Sequence, residues 1–114
     1  MRSPITTHVL DLAAGLPAAG VDALLEQRHD DAFVALGRGT TDDDGRIGDL
    51  LPSDHTLASG VYRLTFEIGP YLEAQGDPGF YPVASIVFRV GDPTEHYHVP
   101  LLLSPYGYST YRGS

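Results

Sequence analysis

Apolar and polar residues alternate along several short segments of this chain, and a period of two predicts β-strands with one buried face. Residues 61–68 show it most clearly. Their apolar side chains point one way and their polar side chains the other, the apolar set being Tyr62, Leu64, Phe66 and Ile68. Residues 83–90 and 96–103 are also predicted to be strands, because both are rich in β-branched or aromatic residues.

Three further apolar segments precede these. Residues 5–12 and 32–36 are predicted to be strands. Residues 21–27 are ambiguous, because Val21, Leu24 and Leu25 also fit one stripe of a helix. We favour a strand for this segment.

One short helix is predicted between Gly69 and Gly76. Pro70 suits the first helical position, where its missing N–H is not needed, and Gly76 suits the left-handed position that ends a helix. The helix would be about two turns long.

Glycine and proline divide the rest of the chain at short intervals. There are 13 glycines and 9 prolines among 114 residues, and the segments between them are about six to ten residues long, a spacing typical of all-β sandwiches. We therefore expect one domain spanning residues 1–114, built as an all-β sandwich of two sheets with one short helix.

Composition removes several classes of function. The absence of cysteine excludes a disulfide framework, a thiolate nucleophile and an iron–sulfur cluster. A net charge of −8 argues against nucleic acid and anionic membranes as partners. No apolar stretch approaches the ~20 residues that span a bilayer, and the first twelve residues lack the apolar section of a signal peptide. A cytoplasmic protein is expected.

Two histidines are the first candidates for chemistry. His96 and His98 are two residues apart on a predicted strand, so both imidazoles should lie on the same face. Such a pair could bind a metal or act in acid–base catalysis, and it could equally be a pair of surface histidines without a role. His29 and His55 lie in predicted loops, where no function is expected.

The acidic segment of residues 41–46 is a second candidate. A calcium loop aligned on Gly45 would place Thr40 at its first position and Leu51 at its twelfth, and neither residue suits. The alternative is an Asp-Gly turn that presents Arg46, whose guanidinium could contact a planar polar ligand through two hydrogen bonds. The neighbouring aspartates could also hold Arg46 in a plain surface ion pair.

No motif supplies a nucleophile or binds phosphate, so a hydrolase with this sequence would use water as the attacking group. The end of the chain is unusual, because it is rich in tyrosine and lacks a charged or disordered terminal segment. We expect this aromatic end to be buried in an interface or a pocket.

Taken together, residues 5–11, residues 41–47 and the segment from His96 to the terminal Tyr-Arg-Gly-Ser resemble the 5-hydroxyisourate hydrolases. These are the enzyme branch of the transthyretin-like proteins. The resemblance covers essentially the whole chain in order, and the terminal Tyr-Arg-Gly-Ser is its most specific part. The hormone carrier of the same superfamily lacks both that end and the His-x-His block.

The resemblance implies a transthyretin-like two-sheet sandwich of about eight strands, assembled as a homotetramer with active sites at the dimer–dimer interface. It implies hydrolysis of 5-hydroxyisourate to 2-oxo-4-hydroxy-4-carboxy-5-ureidoimidazoline in urate degradation, without a cofactor or a metal. The residues that match the family's catalytic positions are His8, Arg46, His98 and Ser114. The substrate-binding positions are His8, Arg46 and Tyr111. His96 is the weaker candidate.

Opening a cyclic amide requires a base for water, a positive group for the oxyanion and an acid for the departing nitrogen. His8 or His98 is the expected base, Arg46 the cation, and Ser114 the group that orients an imidazole through its hydroxyl or the terminal carboxylate. Two alternatives stay open. One is a binding protein like the carrier, and the other is a zinc hydrolase with His8, His96 and His98 as ligands.

Overall fold

Nine strands and one helix make up the computed structural model, which describes residues 3–114. In chain order the elements are β1 (Ile5–Asp11), β2 (Leu16–Pro17), β3 (Asp22–His29), β4 (Ala32–Thr40), β5 (Arg46–Ile47), β6 (Gly60–Glu67), α1 (Ile68–Ala74), β7 (Ala84–Val90), β8 (Tyr97–Ser104) and β9 (Gly107–Thr110). Within residues 3–114, no helix is long and apolar enough to cross a membrane.

The strands form two sheets. The five-stranded sheet has the order β2-β1-β8-β9, and β5 adds a second short pairing to β1. The four-stranded sheet has the order β4-β3-β6-β7. The β1–β8 pair is parallel, whereas the other strand pairs are antiparallel. The two central strands of the five-stranded sheet therefore come from opposite ends of the chain.

One apolar core lies between the sheets. Tyr62, Leu64 and Phe66 of β6 are fully buried, and they share a cluster with residues of the other sheet such as Ile5 and Leu101. Burying each large apolar side chain contributes about 1.5–3 kcal/mol. The predicted dry face of residues 61–68 is thus confirmed, and so is the expected transthyretin-like two-sheet sandwich.

The ambiguous segment 21–27 is a strand, as favoured. Strand β3 pairs with β4 on one side and with β6 on the other, with one irregularity between Leu25 and Glu26. As a strand, this segment forms backbone hydrogen bonds with β4 and with β6. A helix here would lose both sets of hydrogen bonds, and this loss outweighs the helical pattern of its apolar residues. The two-residue strands β2 and β5 were not predicted.

The helix is confirmed, but its start was placed too late. It begins at Ile68, so Pro70 is its third residue rather than its first. Proline is tolerated there because the first-turn N–H groups have no intrahelical partner. Beyond the end of the helix, Gly76 has a φ of +86° and its N–H donates to the Glu73 carbonyl, as expected of a left-handed cap.

A hydrogen bond ties this helix to strand β1. The Tyr71 hydroxyl donates to Oδ2 of Asp11 over 2.7 Å, and the other oxygen of Asp11 accepts from the Ala14 N–H. Asp11 is only 5% exposed, so its charge depends on these two donors. Burial, together with the Asp11 carboxylate, raises the pKa of Tyr71 to about 12.

Tyr71→Phe is expected to lower the free energy of unfolding by about 1 to 3 kcal/mol, since it leaves a buried carboxylate short of one donor. The wild-type protein should also lose stability between pH 10 and pH 12, because the phenol of the unfolded chain ionises near pH 10 whereas that of the folded chain ionises near pH 12. This part of the alkaline loss should be absent in Tyr71→Phe. Urea unfolding at a series of pH values measures both effects.

Tyr106→Phe is the matched control, because its side chain is 78% exposed. Equal stability of the two variants at neutral pH would contradict the assigned role of the Tyr71–Asp11 bond.

Candidate active site

The outer face of the five-stranded sheet collects the predicted site residues. His8 of β1 lies directly opposite Arg46 of β5. Two residues earlier on β1, Thr6 lies opposite His98 of β8. Gly113, next to the end of the chain, bridges to the other side of His98. Four separate parts of the sequence thus meet on one face through the register of the strands.

A cavity of about 190 Å³ lies on this face. Its lining residues are Thr6, Thr7, Arg46, Ile47, Gly48, His98 and Ser114. Three of the four predicted catalytic residues, Arg46, His98 and Ser114, therefore share one cavity. His8 lies beside the cavity without lining it. Tyr111 lines an adjoining groove of about 260 Å³, which has His98 as a common wall.

Arg46 is presented by a tight turn, as predicted. Oδ1 of Asp42 accepts hydrogen bonds from the backbone N–H groups of Asp44 and Arg46, at 2.9 and 3.0 Å. Gly45 has a φ of +75°, and a Cβ there would lie 2.4 Å from the Val9 carbonyl oxygen. Only glycine fits such a close approach in that conformation.

The guanidinium of Arg46 is not used in an ion pair. Among residues 3–114 the ion pairs are Arg63–Glu26 and Arg112–Glu95. The aspartate that contacts Arg46, Asp42, is occupied with backbone N–H groups instead. The alternative of a plain surface ion pair is therefore wrong, and the exposed charge of Arg46 is available to a ligand.

The ring of His8 is fixed by a backbone group. Its Nε2 lies 2.8 Å from the carbonyl oxygen of Asp44. A carbonyl oxygen only accepts, so Nε2 must carry the proton in this contact. In neutral His8 the basic atom is then Nδ1, and the turn that presents Arg46 also orients His8.

His96 and His98 lie on one face, as predicted, and they share a partner that the sequence reasoning did not identify. The Thr6 hydroxyl oxygen lies 2.9 Å from Nε2 of His96 and 2.8 Å from Nδ1 of His98. Thr6 is only 5% exposed. The available signal was its position two residues before His8, which places both side chains on the same face of β1.

The aromatic tail is held in place without being buried in the chain. The Gly113 N–H donates to the His98 carbonyl over 2.9 Å. Arg112 pairs with Glu95 at 2.8 Å and lies over the ring of Tyr97 at 4.4 Å. The hydrogen bond from Arg112 to Glu95 raises the pKa of the guanidinium. Tyr111 is 56% exposed, so burial of the tail against another chain stays a prediction.

Gly113 packs against the face that carries the candidate site, without room for a side chain. A Cβ at this position would lie 2.6 Å from Cδ2 of His98 and 3.3 Å from Cγ of Pro100. The His98 ring therefore has Thr6 at its Nδ1 edge and the tail at its Cδ2 edge. Glycine in the terminal Tyr-Arg-Gly-Ser is explained by this contact.

Gly113→Ala is expected to lower kcat/KM about 10- to 100-fold. The added methyl group would displace either the ring of His98 or Ser114, and moving a group of an active site by about 1 Å lowers the rate by a factor of this size. Thermal unfolding should change little, since the tail lies on the surface. The matched control is Gly91→Ala, where a Cβ would meet nothing within 4 Å. Equal kcat/KM in the two variants would contradict this packing role.

The remaining polar candidates lie elsewhere. His29 is exposed at the end of β3, and His55 lines a separate shallow groove together with Glu95 and His96. The part of the chain that the structure describes contains no group of three or more His, Asp or Glu side chains arranged to hold a metal. A depression of about 380 Å³ on the four-stranded sheet is larger than the catalytic cavity, but no histidine lines it.

Comparisons with known proteins identify the family of this chain. The model of the HIUase/Transthyretin family matches residues 5–113. The 5-hydroxyisourate hydrolase of Caulobacter vibrioides is 48% identical over 116 residues, covering 98% of this chain and 99% of the relative.

Two solved structures are similar along nearly the whole chain. Transthyretin from Sparus aurata has a TM-score of 0.90 at 33% identity, covering 98% of this chain and 97% of that one. The 5-hydroxyisourate hydrolase of Klebsiella pneumoniae has a TM-score of 0.82 at 36% identity, covering 96% and 98%. With a family match over residues 5–113 and relatives aligned from end to end, this chain belongs to the HIUase/Transthyretin family.

Proposed function

We propose that this protein hydrolyses 5-hydroxyisourate to 2-oxo-4-hydroxy-4-carboxy-5-ureidoimidazoline, a step of urate degradation. Water attacks a cyclic amide directly, without a cofactor or a covalent intermediate. The observation that carries the proposal is the cavity shared by Arg46, His98 and Ser114. It occurs in a chain whose relative from Caulobacter vibrioides, 48% identical over nearly its full length, is named a 5-hydroxyisourate hydrolase.

Arg46 orients the substrate and stabilises the oxyanion. Its guanidinium is exposed at the cavity, and no carboxylate among residues 3–114 forms an ion pair with it. A planar guanidinium can donate two parallel hydrogen bonds to the carbonyl groups of a flat heterocycle. As water adds to the carbonyl carbon, negative charge develops on the carbonyl oxygen, and a cation already in place stabilises that charge.

His98 is the proposed general base and acid, because its ring lines the cavity whereas that of His8 does not. The ring removes a proton from water as the oxygen–carbon bond forms. When the tetrahedral species collapses and the carbon–nitrogen bond breaks, the same proton passes to the departing nitrogen. His8, whose Nε2–H donates to the Asp44 carbonyl, lies opposite Arg46 and contacts the substrate from that side.

The terminal residues complete the site in this proposal. Ser114 is exposed to the cavity and orients an imidazole through its hydroxyl or its terminal carboxylate. Tyr111 contacts the substrate from the adjoining groove. The site is open on a sheet face and is flanked by the exposed side chain of Tyr111 in the adjoining groove. That exposure supports a homotetramer in which a second dimer closes the cavity. Cytoplasmic localisation stays a prediction.

A carrier function is the alternative, because transthyretin from Sparus aurata has the same fold, with a TM-score of 0.90 against 0.82 for the Klebsiella pneumoniae enzyme. Fold similarity does not separate the two functions, so the side chains must. The imidazole of His98 in the cavity, that of His8 beside it, and the guanidinium of Arg46, which forms no ion pair within residues 3–114, are groups that move protons and stabilise an oxyanion. They favour hydrolysis over the binding of an apolar ligand.

The experiment generates 5-hydroxyisourate in place from urate with urate oxidase and follows its ultraviolet absorbance. We expect the absorbance to decay much faster with micromolar protein than without it. Heat-denatured protein at the same concentration is the control for nonspecific effects. Decay at the spontaneous rate would refute the proposed function, and saturable binding without acceleration would favour the carrier.

A further inference from the structure

We propose that Thr6 is a positioning residue whose hydroxyl couples the tautomers of His96 and His98. Through this link, His96 determines which nitrogen of His98 is basic. The catalytic consequence rests on the proposed function, whereas the coupling itself can be measured without a substrate.

The coupling follows from the number of protons available. The Thr6 oxygen lies within hydrogen-bond distance of Nε2 of His96 and of Nδ1 of His98, at 2.9 and 2.8 Å. A hydroxyl has one proton to donate and two lone pairs to accept with. It can therefore donate to only one of the two rings, and the nitrogen of the other ring must carry a proton for both bonds to form.

Two arrangements of the neutral rings satisfy this condition. In the first, His98 donates from Nδ1 to Thr6, and Thr6 donates to Nε2 of His96. In the second, both bonds are reversed, so that His96 donates and His98 accepts. The tautomer of each ring is set by the bond that its other nitrogen makes, and the two rings therefore switch together.

Only the first arrangement makes His98 a base at its outer nitrogen. With its proton on Nδ1, the ring keeps a lone pair on Nε2, at the edge away from Thr6. In the second arrangement Nε2 carries the proton, and the neutral ring cannot accept one from water there. Thr6 is 5% exposed, so water has little access to replace its bonds.

Strand register places the three groups together. Thr6 lies opposite His98 on the parallel β1–β8 ladder, and His96 lies two residues before His98 on the same face. His96 contributes to a separate groove and does not line the candidate cavity. A residue outside the cavity is thereby linked to the base inside it by a single hydroxyl.

The first test reads the tautomers directly. Imidazole nitrogen shifts measured by NMR on the ¹⁵N-labelled protein, without substrate, report which ring nitrogens carry protons. In the wild type we expect neutral His98 to carry its proton on Nδ1 and neutral His96 to carry its proton on the nitrogen that does not face Thr6. In Thr6→Val, which preserves shape but removes the hydroxyl, both rings should lose this preference. Two neutral rings that both carry the proton on the nitrogen facing Thr6, or both on the other nitrogen, would overturn the coupling, and a wild-type His98 protonated at Nε2 would overturn its catalytic consequence.

The second test is kinetic. Thr6→Val should lower kcat about 10- to 100-fold with little change in KM. In the Ser-His-Asp triad, holding the histidine in the wrong tautomer costs roughly 10⁴-fold in kcat. The loss expected here is smaller, because Val removes the preference for one tautomer without imposing the other. Thr6→Ser, which keeps the hydroxyl, should restore most of kcat. Thr65→Val on the outer face of the other sheet is the matched control.

The third variant is His96→Ala, which removes the acceptor of the Thr6 proton. If Thr6 and His96 act through one series of hydrogen bonds, the double variant with Thr6→Val should be about as slow as the slower single variant. Its loss in kcat should not equal the product of the two single losses. Multiplicative losses, or a normal kcat in Thr6→Val, would refute the coupling. If the wild type shows the expected tautomers but does not hydrolyse 5-hydroxyisourate, the proposed function fails and the coupling stands.

Discussion

Replacing His98 by Asn is expected to lower kcat on 5-hydroxyisourate by about 10²- to 10⁴-fold, the range in which general acid–base groups contribute. Asn keeps a polar side chain of similar reach at a half-buried position, so the fold should persist. It cannot take a proton from water at neutral pH. The effect should therefore fall on kcat more than on KM, and the ultraviolet assay measures both.

His29→Asn is the matched control, since His29 is exposed on the four-stranded sheet, away from the cavity. It should turn over like the wild type. Thermal unfolding of both variants tests whether the fold is intact. Near-normal turnover of a folded His98→Asn protein would remove His98 from the role of base and leave His8, through its Nδ1, as the remaining imidazole.

The strands of the sandwich were predictable because each follows a local rule. The alternation of residues 61–68 reflects one buried face of β6, where Tyr62, Leu64 and Phe66 are fully buried. The same period of two correctly placed His96 and His98 on one face, and both contact Thr6. Patterns of this kind need only the residues within one strand.

Contacts set by long-range register were not predictable in the same way. Strand β5 has two residues, too few to show a period, and its pairing of Arg46 with His8 depends on the fold of the chain between them. The turn at Gly45 pointed to Arg46 but not to its neighbour. Likewise, Thr6 and His96 are separated by 90 residues, and only the β1–β8 ladder brings them together.

The contacts that hold the tail were not predicted from its composition. Tyr106 and Tyr111 are exposed in the single chain, at 78% and 56%, and their burial against another chain stays a prediction. The tail is held by a backbone hydrogen bond from Gly113 and by the Arg112–Glu95 pair. Contacts of those kinds leave no periodic signature in a sequence.

Loss of the Arg46 guanidinium should have the other large effect. Arg46→Gln is expected to lower kcat about 10²- to 10³-fold, as removal of an oxyanion-stabilising donor commonly does, and to raise KM, because the same group orients the substrate. Arg46→Lys should recover only part of the loss, since an ammonium keeps the charge but cannot donate the paired hydrogen bonds. Initial rates over a range of 5-hydroxyisourate concentrations separate the two effects.

Chemical rescue distinguishes a catalytic guanidinium from a structural one. In Arg46→Ala, guanidinium ion at concentrations well below those that unfold the protein should partly restore kcat, because Arg46 is exposed at the cavity and its site is open to small ions. Urea has the same shape without the charge and should not restore it, since the oxyanion needs a cation. Arg28→Ala, at an exposed position of β3, should match the wild type. Equal rescue by urea and guanidinium would show that Arg46 fills space or donates hydrogen bonds only, and that the charge on the oxyanion is stabilised by another group.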